Sequence, residues 1–445
     1  MSTININIKD FSHNLETPSK KWYLWVAVLA IISLFGMYAL IRQMIDGQII
    51  TGMRDNAVWG IYTANFVFFM GLSYAGALIS CASQLLRIKW TKPLMRMAEL
   101  LTVSSLIVGA PFILFCLGRL DRIHYLFMYG RIQSPITWDV IAISTDLVFC
   151  IAFLYFTHIR DFAKLRDYPD LKVAKWRKKM YTFLALGYKG TPEQKKYLHQ
   201  AHDIMAAIII PTAIIAYSLL SLLFSMSLRP GWHSTIFAPY FVVTAGYSGL
   251  ALLIVIMWIY RKNRKLEAYI TNLHFNYFGF GLILLTFIYA YFTFSEYLTD
   301  WYNQTKTFNL LLDKFFEFDQ FAWLSLFHIV FAFIVPVIVL GFPWLRSINS
   351  VTLVSLFIVI ALWVKRYLIV VPTLETPYIP IQDIRPEYVN YSVSWVEWAL
   401  SLSGITVMIL IFTVASKIAP IIPVSEVIDA QNLEKPKLLF KTKGE

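Results

Sequence analysis

"GRIQSPITWDVIAISTDLVFCIAFLYF", Gly130 to Phe156, begins as a turn and continues as an apolar run. The run is long enough to cross a bilayer, which takes about 20 helical residues. Two carboxylates, Asp139 and Asp146, stand inside it one heptad apart. A charged side chain near the bilayer centre costs about 2.5–3.5 kcal/mol on insertion scales, so each acid is by default a functional candidate.

The whole chain agrees with a membrane reading. Its 445 residues are 58% hydrophobic, 16% aromatic and 15% charged, with a mean hydropathy of +0.59. That is too apolar for an ordinary globular enzyme of this length, and the fold class is all-α integral membrane. The formal charge of +12 does not point to nucleic acid, because the basic residues occupy short loops between apolar runs rather than one soluble face. Membrane topology accounts for them. Cys81, Cys116 and Cys150 lie inside apolar segments without a CxxC pair, so they signal neither an iron-sulfur cluster nor a disulfide framework. The first apolar run starts at Trp22 after a polar leader with no small-residue cleavage site behind it, and is expected to remain as a helix.

Ten transmembrane spans are expected, near residues 22–44, 57–86, 95–118, 135–158, 200–227, 236–260, 271–297, 320–341, 350–371 and 392–415. Of the 39 Lys and Arg, 28 fall on the side that carries both termini, eleven of them in the loop 159–199. The positive-inside rule then places both termini in the cytoplasm and the chain in the inner (cytoplasmic) membrane. The longer outer connections are "GRLDRIHYLFMYGRIQS", the segment 298–319, and "VPTLETPYIPIQDIRPEYVNY" with prolines at 372, 377, 380 and 386. On the inner side "GTPEQKK" sets Thr191 as an N-cap, Pro192 at the first helical position and Gln194 as a capping-box partner. "GLSYAGALIS" (71–80) and "TAGYSGLALL" (244–253) echo each other four spans apart, which suggests a parallel repeat of two four-helix bundles, spans two to five and six to nine. Their small residues let helices approach closely. The resulting division is a leader 1–21, a first flanking helix and outer loop 22–56, a first bundle 57–227, a second bundle 228–391, a last flanking helix 392–415 and a tail 416–445.

Within the spans, three acids stand at compatible depths. Asp139 lies about one turn inside the outer end of span four, and Asp146 lies on nearly the same face roughly 10 Å deeper. Glu99, in the inner part of span three, extends the series toward the cytoplasm, with Asn65 of span two as a hydrogen-bonding group between them. Burial favours the neutral form of a carboxyl and suits it to take and give protons. The alternative is a permanently protonated acid tying two helices together. Asp203 and Glu296, near span ends, read as interfacial, and Lys365 and Arg366 as residues that snorkel or pair with an acid. A haem needs imidazoles at matching depth on facing helices, whereas His328 alone stands well inside a span, with His202 and His274 near cytoplasmic ends and His124 and His233 in outer loops. No haem is expected. His124, beside Arg119 and Arg122, is a candidate for lining an outer pocket.

The segments "WGIYTANFVFFMGLSYAGALIS", "RMAELLTV", "LGRLDR", "SPITWDVIAIST", "RPGWHSTIFAPYFVVTAGYSGLA" and "WVKRYLIVVPTL" occur in the order seen in the NrfD/PsrC family, which the chain resembles over residues 50–400. Members are quinone-interacting membrane subunits of respiratory oxidoreductases, and the likeness is greatest to the larger ten-span type of alternative complex III and related quinone reductase complexes. The resemblance implies two four-helix bundles with flanking helices and no haem or iron-sulfur cluster in this chain. It also implies a menaquinone or ubiquinone as substrate at the outer side of the first bundle. An iron-sulfur (ferredoxin-like) subunit is the implied electron partner, with further catalytic or multihaem cytochrome subunits beyond it and the lipid membrane around it. Carried over by motif, Asp139 of "SPITWD" is the proton acceptor at the quinol head and Arg119 of "LGR" is a pocket residue; Glu99 and Asn65 are polar positions of the same bundle, and His233 belongs to "PGWHSTIF". The sequence departs from the alternative complex III pattern at Cys116 and Tyr74, which stand where that type has histidines, and at Lys365, which replaces an acid. His124 or Tyr74 is then the candidate second ligand of the pocket. A secondary transporter is the competing reading from buried acids and a repeat, but no span carries paired Gly/Pro interruptions at matching positions of both halves.

Overall fold

The computed structural model describes Leu15 and residues 18–169, 171–317, 321–376 and 390–427. Pro377, Pro380 and Pro386, most of the leader and the last part of the tail lie outside the described residues. Among the described residues, ten helices are long and apolar enough to cross a membrane. They are α1 Lys20–Asp46, α2 Ile61–Leu85, α3 Lys92–Phe115, α4 Pro135–Asp167, α5 Pro192–Ser225, α6 Phe237–Asn263, α7 Asn272–Asn303, α8 Ala322–Gly341, α9 Ile348–Leu374 and α10 Trp395–Ile418. Each coincides with an expected span.

Two of them run further than hydropathy suggests. Pro135 opens α4 at its first turn, and the helix continues to Asp167, with Lys164 and Arg166 in the last turn where cations complement the helix dipole. The Thr191 hydroxyl accepts from the Gln194 amide and starts α5 well before the apolar run. Gln194 Oε1 accepts from the Lys189 and Gly190 amides, so its side chain holds the preceding turn rather than closing the expected box on Thr191. These extensions bring His158 and His202 inside helices, both buried.

The helices contact one another in two closed rings. In the first, α2 packs on α3, α3 on α4, α4 on α5 and α5 back on α2; in the second, α6 packs on α7, α7 on α8, α8 on α9 and α9 back on α6. α1 and α10 lie together outside, with α10 against α3 and α2. The rings meet where α2 touches α6 and α9 and where α5 touches α6. At this seam the two echoing segments face each other: a Cβ built on Gly249 would stand 2.1 Å from the Ala75 Cβ, and one on Gly71 would stand 2.6 Å from the Tyr217 hydroxyl. Glycine is required here by backbone approach, as in other membrane helix pairs.

α8 is interrupted by a π turn at Val330–Ile334, just before Pro336, whose missing N–H disturbs the ladder. Tyr247 donates a hydrogen bond to the Ala332 carbonyl there (2.9 Å). α4, which takes the corresponding place in the first ring, is one unbroken helix.

The two ends of the rings differ in how they are closed. On one face, here the terminal face, the surface helix Lys175–Leu184 ties both described ends together: Arg177 donates to the Leu15 carbonyl (2.8 Å) and Tyr181 to the Ile418 carbonyl (2.9 Å). On the opposite face Glu397, fully buried at the start of α10, accepts from the Gly52 amide (2.8 Å), the Ser394 amide (2.9 Å) and the Tyr391 hydroxyl.

Candidate functional site

From its start to Thr157, α4 buries a single stripe, Asp139, Ile143, Asp146, Cys150, Phe153 and Thr157, spaced three or four residues apart; beyond Thr157 burial widens to His158, Ile159, Asp161, Phe162, Ala163 and Leu165. The remainder of the helix presents Ile136, Ile141 and Val148 outward. A helix that gives one stripe to its neighbours and the rest to lipid is amphipathic in the membrane sense, and here the buried stripe carries the acids. The two aspartates of the opening stretch therefore point into the first ring.

Neither is fully satisfied among the described residues. Asp139 is 5% exposed and its Oδ1 has no hydrogen-bond partner. Asp146 is completely buried; its Oδ1 accepts from the Cys150 thiol at 3.6 Å, and its Oδ2 has no partner. Tyr74 of α2, equally buried, has its ring 5.0 Å from that of Tyr217, and its unpartnered hydroxyl lies within electrostatic reach of both aspartates. Buried polar atoms are almost always paired, so three unpaired ones converging in one ring mark a place prepared for something else.

Toward the terminal face, Cys150 also lines a cavity of about 10 Å³, room for about one water. Its other polar walls are Ser80, Cys81, Glu99 and Thr102. Glu99 accepts from the Thr157 hydroxyl through Oε2 (2.8 Å), while Oε1 is unpartnered. Asp139, Asp146, Cys150, the cavity and Glu99 thus form a descending series of polar groups in one ring. Beneath it the series is closed by a buried ion pair. Arg96 donates to Asp161 (2.7 Å), to the Pro420 carbonyl (2.8 Å) and to the Thr157 carbonyl (3.1 Å), and Asp161 accepts from both the amide and the hydroxyl of Ser425.

The remaining expected site residues stand elsewhere. Asn65 is buried, but its amide donates to Ser401 of α10 (2.7 Å) and accepts from Trp363 of α9 (2.8 Å), so it joins three helices instead of bridging the acids. Arg119 is exposed and doubly hydrogen-bonded to Asp121 (3.1 and 2.9 Å), which holds that exposed carboxyl below its usual range. Arg122 and His124 are exposed on the same connection, and no described contact joins any of the three to Asp139. Cys116 lies near the opposite-face end of α3, 3.4 Å from the Thr63 hydroxyl.

Glu296, read as interfacial, pairs with a residue of α9. It is buried, and its Oε2 lies 3.6 Å from Lys365 Nζ, which also donates to the Tyr297 hydroxyl (2.9 Å). α7 continues past Glu296 to Asn303. Sequence reasoning also passed over the aromatic hydroxyls of the second ring: Tyr240 donates to Tyr289 (3.2 Å), and Tyr289 is hydrogen-bonded to His328 Nε2 (2.7 Å). Tyrosines carry no penalty in a hydropathy scan, so nothing in the pattern singles these out.

The family described as "Polysulphide reductase, NrfD" matches residues 49–377. The chain belongs to the NrfD family. A selenate reductase subunit of Mesobacillus selenatarsenatis is 24% identical over 89% of this chain and 94% of its own length. The Hdr-like menaquinol oxidoreductase integral membrane subunit of Archaeoglobus fulgidus is 22% identical over 93% of this chain and 98% of its own length. A putative dimethyl sulfoxide reductase membrane subunit of Halobacterium salinarum is 28% identical over 52% of this chain and 50% of its own length. This NrfD-family chain is an integral, multi-pass membrane protein, and these relatives are named as subunits of oxidoreductases. The family match begins just before α2 and ends just after α9, so it spans both rings and leaves α1 and α10 outside.

Proposed function

We propose that this chain is the quinone-reactive membrane subunit of a multi-subunit oxidoreductase. A menaquinol or ubiquinol enters between the helices of the first ring and meets Asp139 there, in the half of the ring away from the termini. The reading is supported by family membership, by relatives named for selenate, dimethyl sulfoxide and menaquinol oxidoreduction, and above all by the unpartnered carboxyl oxygens of Asp139 and Asp146 beside the unpartnered Tyr74 hydroxyl.

A hydroquinone releases a proton with each electron it gives up. Asp139, held in apolar surroundings with a vacant acceptor oxygen, takes that proton at Oδ1; on quinone reduction the same group returns it. Tyr74 has the hydroxyl to hydrogen-bond the quinone head or Asp146. Asp146, the Cys150 thiol, the cavity and Glu99 then form a route by which protons move between the quinone site and the terminal side of the ring. An iron-sulfur subunit on the face opposite the termini exchanges the electrons, and both termini lie in the cytoplasm.

The test is quinol-dependent turnover of the assembled complex in membranes, with Asp139→Asn compared to wild type at equal assembled amounts. Asparagine keeps the shape and removes the proton acceptor, so turnover is expected to fall by about 10²-fold or more. Unchanged turnover would remove Asp139 from the quinol site.

A further inference from the structure

The terminal-face end of the first ring holds a titratable group that the quinone site does not use. His202 stands on the stripe of α5 that also buries Ala206, Ile209 and Ala213. It is 6% exposed, and its Nε2 has no hydrogen-bond partner among the described residues. Its ring stacks on Phe153 of α4, centroids 4.2 Å apart and planes inclined by 27°. Phe153 and Ile209 both line the cavity that holds Glu99. Ile209 is two turns along α5 from His202, about 10 Å. The imidazole therefore lies between that cavity and the terminal face, separated from the cavity by one aromatic ring.

Within electrostatic reach of His202 runs a connected string of charged and polar groups that reaches the surface. Lys92 pairs with Glu426 (3.2 Å) and donates to Gln84 Oε1 (2.6 Å); Gln84 Nε2 donates to Asp203 Oδ1 (2.8 Å). Asp203 Oδ2 lies 3.6 Å from His199 Nε2 and 3.9 Å from Arg87, and both of those side chains are exposed. Glu426 and Lys92 are within electrostatic reach of both Glu99 and His202, and Asp203 and His199 also face His202. The other conceivable way out, past Thr157, is blocked by Arg96 and Asp161, whose charges are engaged with each other and with the segment Pro420–Ser425.

We infer that His202 exchanges protons between the Glu99 cavity and the aqueous phase at the terminal face. Imidazole is the side chain whose ordinary titration range suits repeated protonation and release near neutral pH. In each cycle the ring gains one proton from one side and gives one to the other. Glu99 Oε1 is the receiving or donating atom, through a water of the size the cavity has room for, and His202 ends unchanged with no oxidant or reductant consumed. The inference rests on the proposed proton route through Glu99. A packing histidine would be expected to have both ring nitrogens satisfied or exposed, and this one has a buried, unpaired Nε2.

The test uses the intact complex reconstituted in sealed, oriented vesicles, with a pH-sensitive dye confined to the terminal-face compartment and quinol turnover followed at the same time. Wild type is expected to exchange protons at that face in proportion to electrons transferred. His202→Gln, and His202→Asn as the smaller variant less disturbing to Phe153, are expected to lose that proton signal per electron. Proton exchange per electron at the wild-type level in either assembled variant would overturn the inference. If wild type turns over quinol without any proton exchange at that face, the route through Glu99 itself fails and the role of His202 falls with it.

Discussion

Lys365 and Glu296 show at the level of single residues how a membrane protein tolerates charge. Lys365 is 3% exposed and faces the rings of Tyr297 and Tyr240, with its ammonium 4.7 and 5.8 Å from their centroids. Its neighbour Arg366 donates to the Tyr217 hydroxyl (3.2 Å) and to the Thr244 hydroxyl and lies over the Phe241 ring. An acid partner is found for Lys365, whereas the described partners of Arg366 are hydroxyls and a ring; the acid Glu296 was legible only as a residue near the end of a span, because hydropathy does not register how far α7 continues. Breaking a buried pair leaves an uncompensated charge and typically costs about 3–5 kcal/mol. Lys365→Met is therefore expected to lower thermal stability in detergent by an amount of that order, and adding Glu296→Gln to recover most of it. A single variant as stable as wild type would mean that the pair is not formed. The same logic separates Asp139 from Glu397: both are buried acids, but the oxygens of Glu397 are filled by Gly52, Ser394 and Tyr391, whereas Asp139 Oδ1 is empty. Sequence alone cannot make that distinction, since it turns on partners distant in the chain.

At the scale of elements, the legible part was the helices themselves. Ten apolar runs gave ten helices because a bilayer demands an internally bonded backbone of fixed length. The heptad spacing of Asp139 and Asp146 correctly put both on one face of α4, since helical periodicity is a local property. What was not legible was the reach of α4 and α5 beyond the membrane, which depends on caps and amphipathic turns rather than on hydropathy, so hydropathy sets His158 and His202 at span ends. Thr191→Ala removes the α5 cap and is expected to cost about 1 kcal/mol, seen as earlier proteolysis of residues 188–196; no change would place the start of the helix elsewhere. The small-residue echo was legible as close packing, and the seam bears it out at Gly249. Gly249→Val is expected to force α2 and α6 apart and to reduce the amount of assembled complex, while the same change at Gly246, with only a Leu285 methyl 4.0 Å from its would-be Cβ, is expected to be mild. Equal effects would argue against a tight α2–α6 contact.

Across the whole molecule the two rings carry the same echo with opposite polar content. Tyr74 and Tyr247 are the fourth residues of the two echoing segments. The Tyr247 hydroxyl donates to the Ala332 carbonyl and accepts from Thr286 (2.9 Å), and its neighbours Tyr240, Tyr289 and His328 are bonded into a chain. The Tyr74 hydroxyl has no partner among the described residues and lies within electrostatic reach of two acids that each have an unpartnered oxygen. A satisfied polar network rigidifies, whereas an unsatisfied one is costly unless a ligand or proton uses it. Glu296 Oε2 and Arg366 Nη1 of the second ring also lack hydrogen-bond partners, but they belong to or adjoin the Lys365 pair, and the proposal of a quinone site in the first ring draws on this difference between the rings.

The central claim is where the quinone binds, and the most direct measurement is photolabelling of the complex in membranes with an azidoquinone, followed by peptide mapping and competition by excess quinol. Label that quinol displaces is expected on residues 61–85 and 135–167. Label displaced by quinol but confined to residues 237–374 would contradict it.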